Sequence, residues 1–139
     1  MKAEIMAGIG IVGGFIFSAF GGWDAGLHAL FTFMAIDYIS GWVVAAVFKK
    51  NDKTDSGALS SNKGFMGLLK KGMQLLIVLV GYELDLVIGT NFIRNGVIIA
   101  FISNELVSIM ENAGLMGIPL PPVIHKAIDI LTKHSEKGD

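Results

Sequence analysis

The stretch Leu27–Phe48, LHALFTFMAIDYISGWVVAAVF, decides the class of fold. A helix needs about 20 residues, at 1.5 Å of rise each, to cross about 30 Å of hydrocarbon, and this stretch exceeds that with His28, Thr32, Asp37 and Ser40 as its polar side chains. On its N-terminal side, across the tight turn Asp24–Gly26, lies a second apolar run, Ile5–Trp23, in which Ser18 is the only conventional polar side chain. That run is longer than the apolar part of a secretion signal and is followed at once by another, so it reads as a first span.

Beyond Phe48 the chain turns polar: Lys49–Lys63, KKNDKTDSGALSSNK, has no apolar periodicity. A third run extends from about Gly64 to Ile88; its apolar stretch is only Met73–Tyr82, so flanking residues complete the crossing, with Lys70 and Lys71 snorkelling at one end. Gly89–Asn91 turns the chain into a fourth run, Phe92–Met110, and Gly114, Gly117, Pro119, Pro121 and Pro122 then stop any helix. In Val123–His134, Ile124, Ala127, Ile128 and Leu131 recur at helical spacing, with Lys126, Asp129 and Lys133 opposite. That is a short amphipathic helix, suited to the membrane surface or to packing on a neighbour.

The expected fold is therefore an all-α membrane protein: residues 1–113 form a transmembrane helical domain, with spans near 5–23, 27–48, 66–88 and 92–110 and a lysine-rich loop over 49–65. Residues 114–139 hold the Gly/Pro break, the amphipathic helix and a charged tail. A three-span alternative, with the first run lost or peripheral, places the N-terminus outside.

Composition agrees with the membrane reading. The 139-residue chain is 53% hydrophobic and 17% charged, with a mean hydropathy of +0.62, where soluble domains average about 25% charged. Eleven basic against twelve acidic residues leave no basic excess for nucleic acid. Without cysteine there is no disulfide framework, thiolate zinc site or cysteine nucleophile. His28, His125 and His134 have no metal-ligand spacing with one another, and no phosphate loop or nucleophile accompanies the carboxylates, so no enzyme, metal or cofactor is expected. Lys49, Lys50, Lys53, Lys63, Lys70 and Lys71 crowd the central loop and its borders. Lysine-rich short loops stay cytoplasmic, which puts both termini inside with four spans.

Polar groups within the apolar runs carry what chemistry there is. An aspartate at the centre of a span costs about 2.5–3.5 kcal/mol on insertion scales, so Asp37 reads as a partner-binding or lumen-facing group, or as one paired within the chain. His28 and Thr32 lie on the opposite face from Asp37. Glu83 and Asp85 point to different sides, and one of them is placed to pair with Arg94 across the Gly89–Asn91 turn. Asn104, Ser108 and Glu111, with Glu105 and Asn112 beside them, form a polar stripe for interhelical hydrogen bonds or for a face that meets water. In the first run Gly10, Gly14, Ser18 and Gly22 recur every four residues, a small-residue ladder that lets helices approach closely in lipid. The partner helix can belong to this chain or to another.

The segments DYISGWVVAAVFKK (37–50), NKGFMGLLKKG (62–72) and NGVIIAFISNELVSIMENAGLMGIPLPPVIHKAIDIL (95–131) resemble the toxin-secretion/phage-lysis holin family. The resemblance rests on Asp37 with Gly41, on Lys63, Gly64, Gly67, Lys70 and Lys71, and on Asn104, Glu105, Ser108, Ile109, Glu111 and Asn112 before Gly117, Pro119 and Pro121. It covers about two-thirds of the chain and leaves the glycine-rich first run outside. It implies a holin without catalytic residues or cofactor: a protein that collects in the host cell's cytoplasmic membrane, associates with itself, and opens holes that release an endolysin or a toxin, bringing about lysis. An antiholin is an implied possible partner. The rival reading is itself an antiholin, or a membrane scaffold docking a soluble partner through the lysine loop and C-terminal helix.

Overall fold

The segment Phe20–Asp24 shows how the chain reverses. Gly21 and Gly22 take φ of +86° and +94°, left-handed values that a residue with a Cβ adopts only with strain. A Cβ on Gly21 would also lie 2.8 Å from the Tyr82 ring. Asp24 then starts the next helix as its N-cap, Oδ1 accepting from the Leu27 amide at 2.9 Å, an arrangement worth about 1 kcal/mol.

The computed structural model describes residues 1–49 and 60–136. It contains α1 (Lys2–Ala19), α2 (Ala25–Val43, continued by a wider π-helical turn, Val44–Phe48), α3 (Ser61–Ile88), α4 (Ile93–Leu115) and α5 (Pro122–Glu136). No strand occurs among the described residues. Among the described residues, three helices are long and apolar enough to cross a membrane: α1, α2 with its extension, and α4. The longest, α3, has 28 residues but carries Lys63, Lys70, Lys71, Glu83 and Asp85, which dilute its apolar content.

The core joins α2, α3 and α4. Leu27, Leu30 and Met34 of α2, Val78 of α3, and Ile98 and Ile102 of α4 form one buried cluster, with Phe20 closing it at the α1–α2 turn. Small residues bring the backbones together: a Cβ on Gly81 would meet the Arg94 Cα at 3.2 Å. The amphipathic C-terminal segment packs on a neighbour, not apart from the bundle: α5 docks on α4, Ile128 is buried, and Leu131 packs against the cluster.

α1 contributes nothing to this core. None of its residues is buried, and a Cβ added at Gly10 or Gly14 would meet nothing within 4 Å. The small-residue ladder needs one correction. The helix stops at Ala19, so Gly22 lies in the left-handed turn beyond it, and the helical part of the ladder is Gly10, Gly14 and Ser18. The run Ile5–Trp23 exceeds the helix because Gly21 and Gly22 reverse the chain before its apolar residues end.

Candidate functional site

Two polar clusters are built into the apolar bundle. The first lies at mid-bundle, where α2, α3 and α4 meet. Lys71 Nζ donates to Asp37 Oδ2 at 2.7 Å and to Glu105 Oε2 at 2.6 Å. Ser108 Oγ donates to Asp37 Oδ1 at 2.5 Å. Asn112 Nδ2 reaches Asp37 Oδ1 and the Asp37 carbonyl, both at 3.3 Å, and the Ser40 hydroxyl at 2.8 Å. The side chains are withdrawn from the surface, Glu105 most of all at 5% exposure. One ammonium thus holds two carboxylates from different helices. Removing one member of such a set leaves an uncompensated buried charge.

Beside this network is a cavity of about 310 Å³, lined by Tyr38, Trp42, Lys63, Lys70, Gln74 and Glu111 among others. Gln74 Oε1 is buried there without a hydrogen-bond partner among the described residues.

The second cluster lies at the end where the α1–α2 and α3–α4 turns come together. The Arg94 guanidinium donates to Asp24 Oδ2 at 2.6 Å, to Asn95 Oδ1 at 3.0 Å, to the Gly22 carbonyl at 3.1 Å and to the Phe20 carbonyl. Held by the Arg94 hydrogen bond, the Asp24 carboxyl stays below its ordinary value of 3.8. Asp85 serves the same end differently. It accepts from the Thr90 hydroxyl at 2.6 Å and from the amides of Ile93 and Arg94, both at 2.9 Å. It thereby satisfies donors at the start of α4 that a helix leaves open.

The expected pairing of Arg94 with Glu83 or Asp85 is therefore corrected. Asp85 meets the Arg94 backbone, Glu83 is exposed, and the guanidinium turns to Asp24. The polar stripe divides as well: Glu105 and Ser108 enter the mid-bundle network with Asp37, while Asn104 and Glu111 are exposed along the cavity wall. His28 and Thr32 are exposed on α2, away from Asp37; Thr32 Oγ1 donates to the His28 carbonyl at 2.9 Å, and the His28 ring meets Trp23 edge-on at 5.7 Å. Of the basic loop, Lys71 joins the network, Lys63 and Lys70 border the cavity, and Lys49 is exposed in a left-handed conformation; Lys50 and Lys53 lie outside the described residues. Among the described residues no three His, Cys, Asp or Glu gather as a metal site.

Asp24 and Gln74 were not singled out in the sequence, though both leave a trace there. Asp24 follows a Gly-Gly pair and precedes a helix, an N-cap signature. Gln74 interrupts the otherwise apolar Met73–Tyr82.

A cluster of this kind, fixed across three helices of which two are apolar enough to cross a membrane, can now be set beside known proteins. The model of the bacteriophage holin family matches residues 14–133. The chain belongs to that family. It is 38% identical over 135 residues to an uncharacterized protein of Listeria innocua, covering 95% of this chain and 91% of that one. To an uncharacterized protein of Listeria monocytogenes it is 37% identical over 139 residues, covering 98% and 94%. It is also similar, at 26% identity over 103 residues, to a probable holin of Bacillus phage phi105, covering 73% and 70%. No solved structure matches the chain. Holins are not an enzyme family, and three apolar helices make this family member a membrane protein.

Proposed function

We propose that the chain is a holin that acts by self-association in the bacterial cytoplasmic membrane, opening holes through which an endolysin or a toxin leaves and so triggering lysis. The observation that carries this reading is α1: an apolar helix with Gly10, Gly14 and Ser18 on one face that no described residue of the chain covers. In lipid, helices associate through close packing of small residues more than through hydrophobic force. An uncovered small-residue face therefore favours a second copy as its partner. The carboxylates of the bundle behind it are already paired, since Asp37 and Glu105 share Lys71. The paired core therefore does not itself drive association, which is left to the exposed face of α1 and grows with density.

The same reading takes α1 to α4 as four spans, α3 crossing with Lys71 turned to Asp37 and Glu105 and with Asp85 turned to the α4 start. The lysine-rich segment, the N-terminus and the C-terminal end of α4 face the cytoplasm, which sets the Arg94 end outward and the lysine end inward.

Inducible expression in a bacterium tests the proposal. A holin stops growth abruptly, collapses the membrane potential and lyses cells when an endolysin is present. An antiholin instead delays lysis by a co-expressed holin, and a scaffold does neither. Gly14→Leu and Asp37→Asn are each expected to shift the time of lysis. If both variants kill on the parental schedule at equal expression, association through α1 and the polar network does not set the timing.

A further inference from the structure

The position of α5 is at odds with a lipid surround. Leu131 packs against the apolar cluster; Ile102, the cluster's member nearest the C-terminal end of α4, stands about 20 Å from Leu115 at 1.5 Å per residue. α5 therefore doubles back alongside α4 instead of lying across its end. Where α4 crosses a membrane, α5 stands beside it at hydrocarbon depth.

The face that α5 turns away from α4 is charged. Lys126, Asp129, Lys133 and Glu136 follow one another at helical spacing, all four are exposed, and none forms an ion pair among the described residues. Four ionised side chains in a row are not stable against acyl chains; in a membrane such residues face water or a protein interior. The apolar side, with Ile128 buried and Leu131 on the cluster, is already taken by the bundle. Water is then the partner left for the charged side.

We infer that α5 inserts beside α4 and that its face of Lys126, Asp129, Lys133 and Glu136 borders the aqueous lumen of the assembled hole. The inference rests on the holin reading and adds which surface of the chain the passing molecule meets. Two ammonium groups balance two carboxylates on this face, so the wall carries no net sign. A selective pore uses rings of one sign; a balanced wall suits the passage of folded proteins.

The chain has no cysteine, so single-cysteine variants report cleanly. Lys126→Cys, Asp129→Cys, Lys133→Cys and, as the covered control, Ile128→Cys are reconstituted as full-length protein in planar bilayers. A polymer-bearing maleimide is added once conductance is established. Conductance is expected to fall at least about twofold for the three charged-face variants, as bulk enters the lumen, and to stay unchanged for Ile128→Cys, which does not react. Complete modification of the three positions, seen as a mass shift, with conductance unaltered places α5 outside the lumen and overturns this inference while leaving the holin reading standing. Parental protein that never conducts at any density overturns both.

Discussion

The two polar clusters solve the same problem by opposite means. At the turn end one cation, Arg94, is surrounded by acceptors: one carboxylate and two backbone carbonyls bind its fork. At mid-bundle the excess is reversed, with two carboxylates on one ammonium and a cavity alongside. The first arrangement ties the α1–α2 turn to the start of α4 at a place where even a Cβ on Gly81 is crowded. The second joins three helices through the tip of one flexible lysine, with room beside it. The turn end is a fastening; the mid-bundle cluster is the part of the core that a single change unbalances.

The largest effect is therefore expected at Lys71. Lys71→Ala leaves Asp37 and Glu105 facing each other without a cation, and the loss of such a partner costs about 3–5 kcal/mol. Thermal unfolding in detergent should show it, and Lys71→Ala with Glu105→Gln should recover part of the loss. If Lys71→Ala alone unfolds with the parent, the mid-bundle cluster does not hold the helices.

Arg94→Lys is next. An ammonium does not reproduce the fork that reaches the Phe20 and Gly22 carbonyls together with Asp24, so keeping the charge should still lose about 2 kcal/mol. Equal stability of Arg94→Lys and the parent would reduce the clamp to a simple charge pair.

A pair of alanines compares the two regions by packing alone. Gly81→Ala forces a contact at 3.2 Å with backbone and should destabilise by about 1 kcal/mol. Gly41→Ala meets only Asn112 Nδ2, at 3.8 Å, and should be neutral or stabilise slightly through helix propensity. Equal midpoints for the two variants would remove the distinction between a tight end and a roomy middle.

The smallest effect is that of pH on Asp24. Because its folded value is depressed below 3.8, its contribution is complete above that value and disappears as pH falls through the depressed one. Its side chain is 48% exposed, so the contribution is screened and stays under about 1 kcal/mol. The parent should lose slightly more stability than Asp24→Asn as pH falls from neutral to well below 3.8; parallel loss would mean that the clamp does not depend on this charge.

Three of the helices, α1, α2 and α4, were legible as apolar runs of membrane-crossing length, a local property, and α5 as an amphipathic repeat, whereas the run expected as a third span is a helix too rich in charge to join the three. The helix ends were less legible: the run Ile5–Trp23 outlasts α1 because apolar residues continue through a turn that only the glycine φ values create. Asp37 and Glu105 were each visible as polar groups in apolar runs, whereas Lys71 reads in the sequence as a snorkelling residue of the basic loop and turns inward in the fold. The meeting of the three was not visible, because Lys71 is 34 residues from both carboxylates and helix spacing fixes a face without naming what faces it. Arg94 shows the same limit from the other side. Asp85 stands near it in sequence, but its oxygens are engaged by the amides that open α4, so the guanidinium finds Asp24 across 70 residues.

The bond from Arg94 to the Phe20 and Gly22 carbonyls has a consequence for α1. It moors the segment leaving that helix to the start of α4, while the rest of α1 stands clear of the bundle. Anchored at that tip, α1 has, with its 18 residues, a reach of about 27 Å at 1.5 Å per residue. On the self-association proposed above, a neighbour held by this helix lies within that radius of the moored turn, a limit set by the length of a helix.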